Sequence, residues 1–273
     1  MFRRTFFALL SVVTLAPLAA QAALEAGSPT VLITGANRGL GLELARQYAE
    51  RGWNVIATTR RSADDPGAAA LREIQREHPR LVIERIDVTD TAMIRGVAEK
   101  YRDLPLDVLI NNAAAVEATL AADLAKLNVP YDQIDFDAAL NEFSVNTLGP
   151  MRMAQAFMPH VKRSQHKKIV NVTSLAGSFG RGFPGAMGMN YGASKAGLNK
   201  YSVMLADAVR EEGVIVALVQ PYFVATKADM EAGQQGAISV EEGASRLIKL
   251  IDEMTAAHSG IISNFQTGET DPF

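Results

Sequence analysis

From residue 29 onward, short runs of consecutive apolar, often β-branched residues alternate with stretches whose apolar positions fall at helical spacing. Val31-Leu32-Ile33 opens the series, and Leu40 to Glu50 follows with Leu40, Leu44 and Tyr48 on one side of a helix. Asn54–Thr59 reads as a second strand, and Pro66–Glu77 as a polar helix with its proline well placed at the start. A third strand (Leu81–Ile86), a helix (Thr89–Tyr101) and a fourth strand (Asp107–Ile110) come next. A long helix is expected over Phe136–Val161, a fifth strand over Lys168–Val172 and another helix over Tyr191–Glu212. The sixth strand, Val214–Val219, is stopped by Pro221; a helix over Val240–Met254 and a last strand over Gly260–Phe265 complete the series. Strands apolar throughout and separated by helices predict a parallel sheet covered on both faces. The expected fold class is α/β: a single doubly wound parallel sheet of about seven strands with helices on both faces, in one domain over residues 29–273. Gly177–Met189 and Ala225–Ala237 read as surface loops.

Residues 1–22 are a different material. Arg3 and Arg4 form a basic start, Phe6–Ala20 is an apolar run, and Ala20-Gln21-Ala22 offers small residues at the two positions a signal peptidase reads. The pattern predicts an export signal peptide and a periplasmic location. Arg3-Arg4-Thr5-Phe6-Phe7 is loosely similar to a twin-arginine signal, with Phe2 where Ser or Thr is usual. A retained membrane anchor is one alternative, because the uncharged stretch Thr5–Leu24 is about long enough to span a bilayer; a cytoplasmic chain with neither feature is another.

Composition narrows the chemistry. With 48% hydrophobic and 21% charged residues the chain is globular, and a formal net charge of -3 gives no reason to expect nucleic acid or an anionic membrane as partner. The absence of cysteine excludes disulfides, cysteine-ligated zinc and thiol chemistry. His78, His160, His166 and His258 form no pair at metal-ligand spacing, so no metal site is read.

The turn Thr34-Gly35-Ala36-Asn37-Arg38-Gly39-Leu40-Gly41 joins the first strand to the first helix. Glycines there let the backbone turn tightly and approach a pyrophosphate, and the helix N-terminus behind them offers free N–H groups. An ordinary tight strand–helix turn is the plainer reading, but the position at the first junction favours a phosphate cradle. The second strand ends Thr58-Thr59-Arg60-Arg61, with no acid for ribose hydroxyls. Arg60 with Arg38 suits a 2′-phosphate, unless both are simply solvated. Asp87 after the third strand stands where a carboxylate meets an adenine ring or caps a helix, with Asp90 competing for the cap.

Tyr191 and Lys195, four apart at a helix start, project from one face. A tyrosine is a poor acid–base near its ordinary pKa of about 10, and an adjacent ammonium is expected to pull it down toward the working range. Alone, such a pair is commonly a solvated helix face. Ser174 at the end of the fifth strand, Asn111-Asn112-Ala113-Ala114 at the end of the fourth, and Asn146 before the fifth change that balance. Carboxyl ends of neighbouring parallel strands line one crevice, so Ser174 and Asn111 are expected to face the same cleft as the glycine turn.

In this order, T-G-x-x-x-G-x-G, N-N-A-A, the helix Asn, the strand-end Ser and Y-G-A-S-K resemble the short-chain dehydrogenase/reductase family. The likeness extends from about Thr30 onward. Ala36–Gly41, Val145–Pro150 and the tail Phe265–Phe273 are similar to its sniffer and C-factor-like carbonyl reductase branch. The resemblance implies a Rossmann-type fold and an NADP(H)-dependent oxidoreductase, NADP(H) in preference to NAD(H). Hydride would pass between the nicotinamide and the carbonyl or alcohol of a small organic substrate. It implies catalytic roles for Asn146, Ser174, Tyr191 and Lys195: Tyr191 as proton donor or acceptor, Lys195 lowering its pKa and holding the nicotinamide ribose, Ser174 binding the substrate oxygen, Asn146 supporting a relay water. Implied cofactor contacts are Gly35, Asn37, Arg38, Gly39, Leu40 and Gly41 in the turn, with Arg60, Asp87 and Val88 after the next strands. Asn112, Pro221, Val224 and Thr226 complete them, beside Tyr191 and Lys195. Homodimers or homotetramers packed through the helices at Phe136–Val161 and Tyr191–Glu212 are implied as well. The alternative is a nucleotide-binding regulatory protein of this fold with little or no turnover. Three departures stand out: Ala114 where Gly is usual, Tyr222 where Gly normally follows Pro221, and a somewhat long Gly-rich stretch between Ser174 and Tyr191.

Overall fold

A computed structural model describes residues 24–116, 131–180, 188–221, 224–225 and 237–273. The export-signal expectation, Tyr222 and Thr226 lie outside the described residues, as do 181–187 and 226–236 of the two expected loops. Among the described residues no helix is long and apolar enough to cross a membrane.

The strands are β1 (Thr30–Ile33), β2 (Asn54–Thr59), β3 (Leu81–Arg85), β4 (Val108–Asn111), β5 (Lys168–Val172), β6 (Ile215–Gln220), β7 (Ile262–Asn264) and β8 (Thr270–Asp271). They form one sheet in the order β3-β2-β1-β4-β5-β6-β7-β8, parallel up to β7. The helices are α1 (Gly39–Glu50), α2 (Ala69–Glu77), α3 (Thr91–Lys100), α4 (Phe136–Phe143), α5 (Gly149–Arg163), α6 (Met189–Ala208) and α7 (Val240–Glu253). The expected doubly wound sheet is present, with one strand more than the seven foreseen. β8 is two residues long and pairs antiparallel with β7, too short to leave an alternating pattern in the sequence.

Alternation along the buried strands divides the interior into two cores. Val31, Ile33, Val55 and Ala57 face one side and pack with Leu44 and Tyr48 of α1, Leu71 of α2 and Leu247 and Ile251 of α7. Leu32, Ile56 and Val82 face the other, with Ile94 of α3, Met153 and Phe157 of α5 and Ala206 of α6. Strand order reverses between β1 and β4, and the carboxyl ends of these two strands open the crevice where ligands bind in such sheets.

The expected long helix over Phe136–Val161 is interrupted. A π-helical turn, Ser144–Leu148, separates α4 from α5. Pro150 has no N–H for the carbonyl of Asn146, so the regular four-residue ladder fails there. Gly149 instead donates to the Ser144 carbonyl, five residues back. Such turns recur at functional sites, and this one carries Asn146. Similarly, the helix expected to reach Glu212 stops at Ala208 and ends in a 3-10 turn (Arg210–Glu212), after which Gly213 adopts φ 71°.

Phe157 is 1% exposed in the second core. Phe157→Ala is expected to cost about 3–5 kcal/mol, read as a fall in the urea unfolding midpoint, because the cavity cannot collapse between α5 and a parallel sheet. A loss near zero would show that the helix repacks freely.

Candidate active site

The glycine turn follows β1 and is pinned from two sides. The Ala36 amide donates to the Thr58 carbonyl at 2.8 Å, which sets the turn against the end of β2. Asn112 donates from Nδ2 to the carbonyls of Thr34 (3.0 Å) and Gly35 (3.2 Å), and Thr34 Oγ1 accepts from the amides of Asn112 and Ala113, both at 3.0 Å. Gly35 has φ 66°, open to residues without a side chain. A Cβ on Gly41 would lie 2.5 Å from both Asn112 Nδ2 and the Gly35 carbonyl oxygen, so glycine is required there for the turn to close. α1 begins behind it with Arg38 at the N-cap making no side-chain cap.

The other expected cofactor residues divide by burial. Arg38 and Arg60 are exposed, and among the described residues neither forms a salt bridge. Asn37 donates to the Gly67 carbonyl at 3.4 Å. Leu40, Val88 and Val224 are buried core residues, so a ligand could reach mainly their backbone. The Pro221 carbonyl accepts from Gln266 Nε2 at 3.0 Å. Gly39 has φ 53° at the start of α1.

Two expectations resolve differently. Asn111 does not face the cleft: it pairs in register with Asn171 on β5, is 3% exposed, and donates to Asn171 Oδ1 at 2.8 Å. Its neighbour Asn112 is the one at the cleft. Asp90, not Asp87, caps α3, accepting from the Met93 amide at 2.9 Å. Asp87 accepts from the Thr89 amide and hydroxyl at 2.9 and 2.7 Å. Partial burial opposes its charge, but these bonds and the nearby Arg60 and Arg85 outweigh it and hold the carboxyl below its usual range.

The second half of the site is built where α6 lies on β5. Tyr191, Lys195, Asn199 and Ser202 recur at helical spacing on one face of α6. Each meets the strand or the turn after it. Ser202 Oγ accepts from Asn171 Nδ2 at 2.8 Å, Lys195 Nζ donates to the Val172 carbonyl at 2.8 Å, and Asn199 Oδ1 accepts from Thr173 Oγ1 at 2.5 Å. Ser174 lies close enough to the Tyr191 phenol to act on its charge state. Ser174 also caps the 3-10 turn Leu175–Gly177, accepting from the Ala176 amide at 3.2 Å, while Asn199 Nδ2 donates to the Gly177 carbonyl at 3.1 Å.

Asn146 ties in the third element. It accepts from the Ala115 amide (2.7 Å) and donates to the Ala115 carbonyl (2.8 Å) and Ser194 Oγ (3.0 Å). Ser194 Oγ in turn donates to the Tyr191 carbonyl at 2.7 Å, and Thr147 Oγ1 donates to the Ser194 carbonyl at 2.6 Å. The amide therefore clasps the chain after β4 to the first turns of α6.

Electrostatics here departs from the expectation that Lys195 draws the tyrosine pKa down. An edge of Tyr191 reaches solvent, yet its phenol sits within the protein, and that burial pushes its pKa up to about 12. Ser174 works against this shift, and the buried carboxyl of Glu142 on α4 adds to it. Lys195 Nζ lies 5.6 Å from the tyrosine ring centre and donates a hydrogen bond to the Val172 carbonyl. Burial brings the lysine itself down to about 8. Both shifts share their largest cause, desolvation disfavouring charge.

The site residues expected from the sequence do not include Asn199, Ser194, Thr34 or Glu142. Thr34 opens the glycine motif and Ser194 lies within Y-G-A-S-K, but neither carries an expected role; Asn199 shares the helical spacing of Tyr191 and Lys195, and Glu142 is marked only by burial beside the site.

The two halves lie at the ends of β1 and β5, on either side of β4. A short chain dehydrogenase family model matches residues 29–237. An uncharacterised oxidoreductase of Schizosaccharomyces pombe is 30% identical, over 88% of this chain and 96% of the relative. Among solved structures, an NADPH-bound carbonyl reductase from chicken fatty liver superposes with TM-score 0.80 at 26% identity, covering 90% of this chain and 99% of that one. The carbonyl reductase Sniffer of D. melanogaster shares the fold with TM-score 0.76 at 22% identity, covering 90% and 100%.

The lysine shift has a measurable consequence. Between pH 8 and 10.5 the unfolded chain keeps a proton that folded Lys195 has released, so this group makes stability rise with pH through that window. Urea midpoints at both ends of the window should rise less steeply for Lys195→Met than for the parent; identical slopes would place the titration elsewhere. With the glycine turn, the strand-end serine and the Tyr191–Lys195 helix all in register on one sheet, the chain belongs to the short chain dehydrogenase family.

Proposed function

We propose that this chain is an NADP(H)-dependent oxidoreductase of the carbonyl reductase kind, acting on the carbonyl or alcohol of a small organic molecule. The observation that carries the reading is the Tyr191 phenol beside Ser174 at the carboxyl end of β5, with Lys195 one turn along the same helix face, one strand from the β1–β4 crevice. The residues fit such a dinucleotide. The glycine turn leaves no Cβ where Gly41 meets Gly35, α1 starts without a side-chain cap, and the exposed Arg38 and Arg60 suit a 2′-phosphate. The chicken-liver carbonyl reductase with NADPH bound supports the same cofactor here.

The dinucleotide, when bound, would supply or take up hydride. The chain's own task is then to orient the substrate and move one proton. Ser174 would hold the substrate oxygen next to the phenol, and Tyr191 would give that oxygen its proton. A phenol whose pKa is pushed up to about 12 stays protonated at neutral pH, which suits reduction better than oxidation. Lys195, with a pKa near 8, would hold a ribose hydroxyl and carry positive charge at neutral pH, lowering the cost of the phenolate left behind. Asn146 fixes the start of α6, and its main-chain carbonyl, to which Pro150 offers no N–H, is the group that would support a relay water. Phe136 (74% exposed) and Leu140 (69%) on α4 and Met204 (59%) on α6 are exposed apolar side chains, and we take these helices as the place where copies pack into a dimer or tetramer.

Tyr191→Phe should lower carbonyl-dependent NADPH consumption by at least about 100-fold, the low end of general acid–base contributions, while circular dichroism and NADPH binding stay as in the parent. Turnover at half the parent rate would sink the assignment. Arg60→Ala should weaken NADPH binding by about 10-fold, the loss of one charge-assisted bond, and leave NADH nearly unaffected in a fluorescence titration. Equal losses for both nucleotides would remove Arg60 from 2′-phosphate recognition.

A further inference from the structure

The segment that follows β7 makes contacts that the proton transfer does not use. β8 sets Asp271 opposite Ile262. The Asp271 side chain is 7% exposed and accepts from Gln220 Nε2, at the last residue of β6, at 2.6 Å. The next two residues reach the chain that carries Ser174. The Pro272 carbonyl accepts from Ser178 Oγ at 2.8 Å, and the Phe273 carbonyl accepts from the Gly180 amide at 2.8 Å. The fit is close: a Cβ on Gly180 would lie 3.0 Å from Pro272 Cβ.

Between these contacts and Ser174 the backbone is stiff. The Gly177 amide donates to the Ser174 carbonyl and the Ser178 amide to the Leu175 carbonyl, both at 3.0 Å, closing the 3-10 turn. On the inner side, Asn199 grips Thr173 and Gly177. On the outer side residues 272 and 273 also hold Ser178 and Gly180. A displacement at Ser178 is therefore passed along one closed turn to Ser174. Misplacing a reacting group by about 1 Å can cost on the order of 100-fold in rate.

We propose that residues 271–273 are a positioning element: they brace the turn Ser174–Gly180 against the end of β6 and so set how well Ser174 holds a substrate oxygen. The proposal rests on the reading of Ser174 and Tyr191 given above. The brace meets the turn at Ser178 and Gly180, whereas Lys195 is held on β5 through the Val172 carbonyl. Its removal should thus affect carbonyl binding and leave the glycine turn's grip on a nucleotide intact.

Two variants test this, Ser178→Ala and removal of Pro272 and Phe273. Ser178→Ala should raise KM for a carbonyl substrate by about 5-fold, the effect of one hydrogen bond, with the NADPH Kd unchanged. The shortened chain should lose more, and adding Ser178→Ala to it should cost less than the same substitution costs the parent, because both remove the Ser178–Pro272 bond. In a Ser174→Ala background neither variant should matter. Additive losses, or the same losses in the Ser174→Ala background, would overturn the brace; where the shortened chain fails to fold, Ser178→Ala in the two backgrounds decides. Amide exchange at Leu175–Gly180 gives a readout free of turnover. It should quicken in the shortened chain, and unchanged exchange there overturns the proposal. A parent that reduces no carbonyl yet shows the exchange change would refute the functional reading and keep the brace.

Discussion

Much of the site hangs on the contact between one face of α6 and the end of β5. Asn171 to Ser202, Lys195 to Val172 and Thr173 to Asn199 are hydrogen bonds between buried groups, and Ser174 beside Tyr191 continues the row. Leaving a buried polar group unsatisfied costs about 1–3 kcal/mol, so moving the helix by one turn, about 5.4 Å, would break several such pairs together. The register of helix on strand is fixed by these deeper bonds, and the distance between phenol and serine follows from it. Tyr191 and Ser174 are thus placed by a row of buried hydrogen bonds deeper in the same contact.

The same burial sets the charge states. Desolvation moves Tyr191 up and Lys195 down, each toward its neutral form. A lysine beside a tyrosine is commonly expected to lower the phenol's pKa, but here the ammonium is turned to the Val172 carbonyl and lies 5.6 Å from the ring centre. Glu142, 1% exposed on the neighbouring helix, acts in the opposite sense. The result is a proton held firmly on the phenol at neutral pH.

The π turn links this region to the dinucleotide side. Pro150 breaks the hydrogen-bond ladder at Asn146, and the side chain there reaches both Ala115, just after β4, and Ser194 on α6. One amide thereby joins the strand end beside the glycine turn to the helix that carries Tyr191. Asn112 does the equivalent work on the other side, holding the carbonyls of Thr34 and Gly35.

What was readable from the residues alone was whatever leaves a local trace. Apolar runs and helical spacing located seven of the strands and the helices, because buried parallel strands and amphipathic helices impose those periods directly. Gly35 and Gly41 stood out because a tight turn tolerates no Cβ, and Tyr191 and Lys195 because a four-residue spacing puts two side chains on one helix face. The remainder depended on partners distant in the chain. Asn111 and Asn112 are adjacent, yet register with Asn171 buries the first and leaves the second on the glycine turn. Asp90 rather than Asp87 caps α3, and β8 exists only because β7 offers it an edge. Asn199 holds the Ser174 turn through residues more than twenty positions away, and the pKa of Tyr191 follows from how deeply the folded chain encloses it. Burial and pairing across the sheet are properties of packing, and no window of neighbouring residues encodes them.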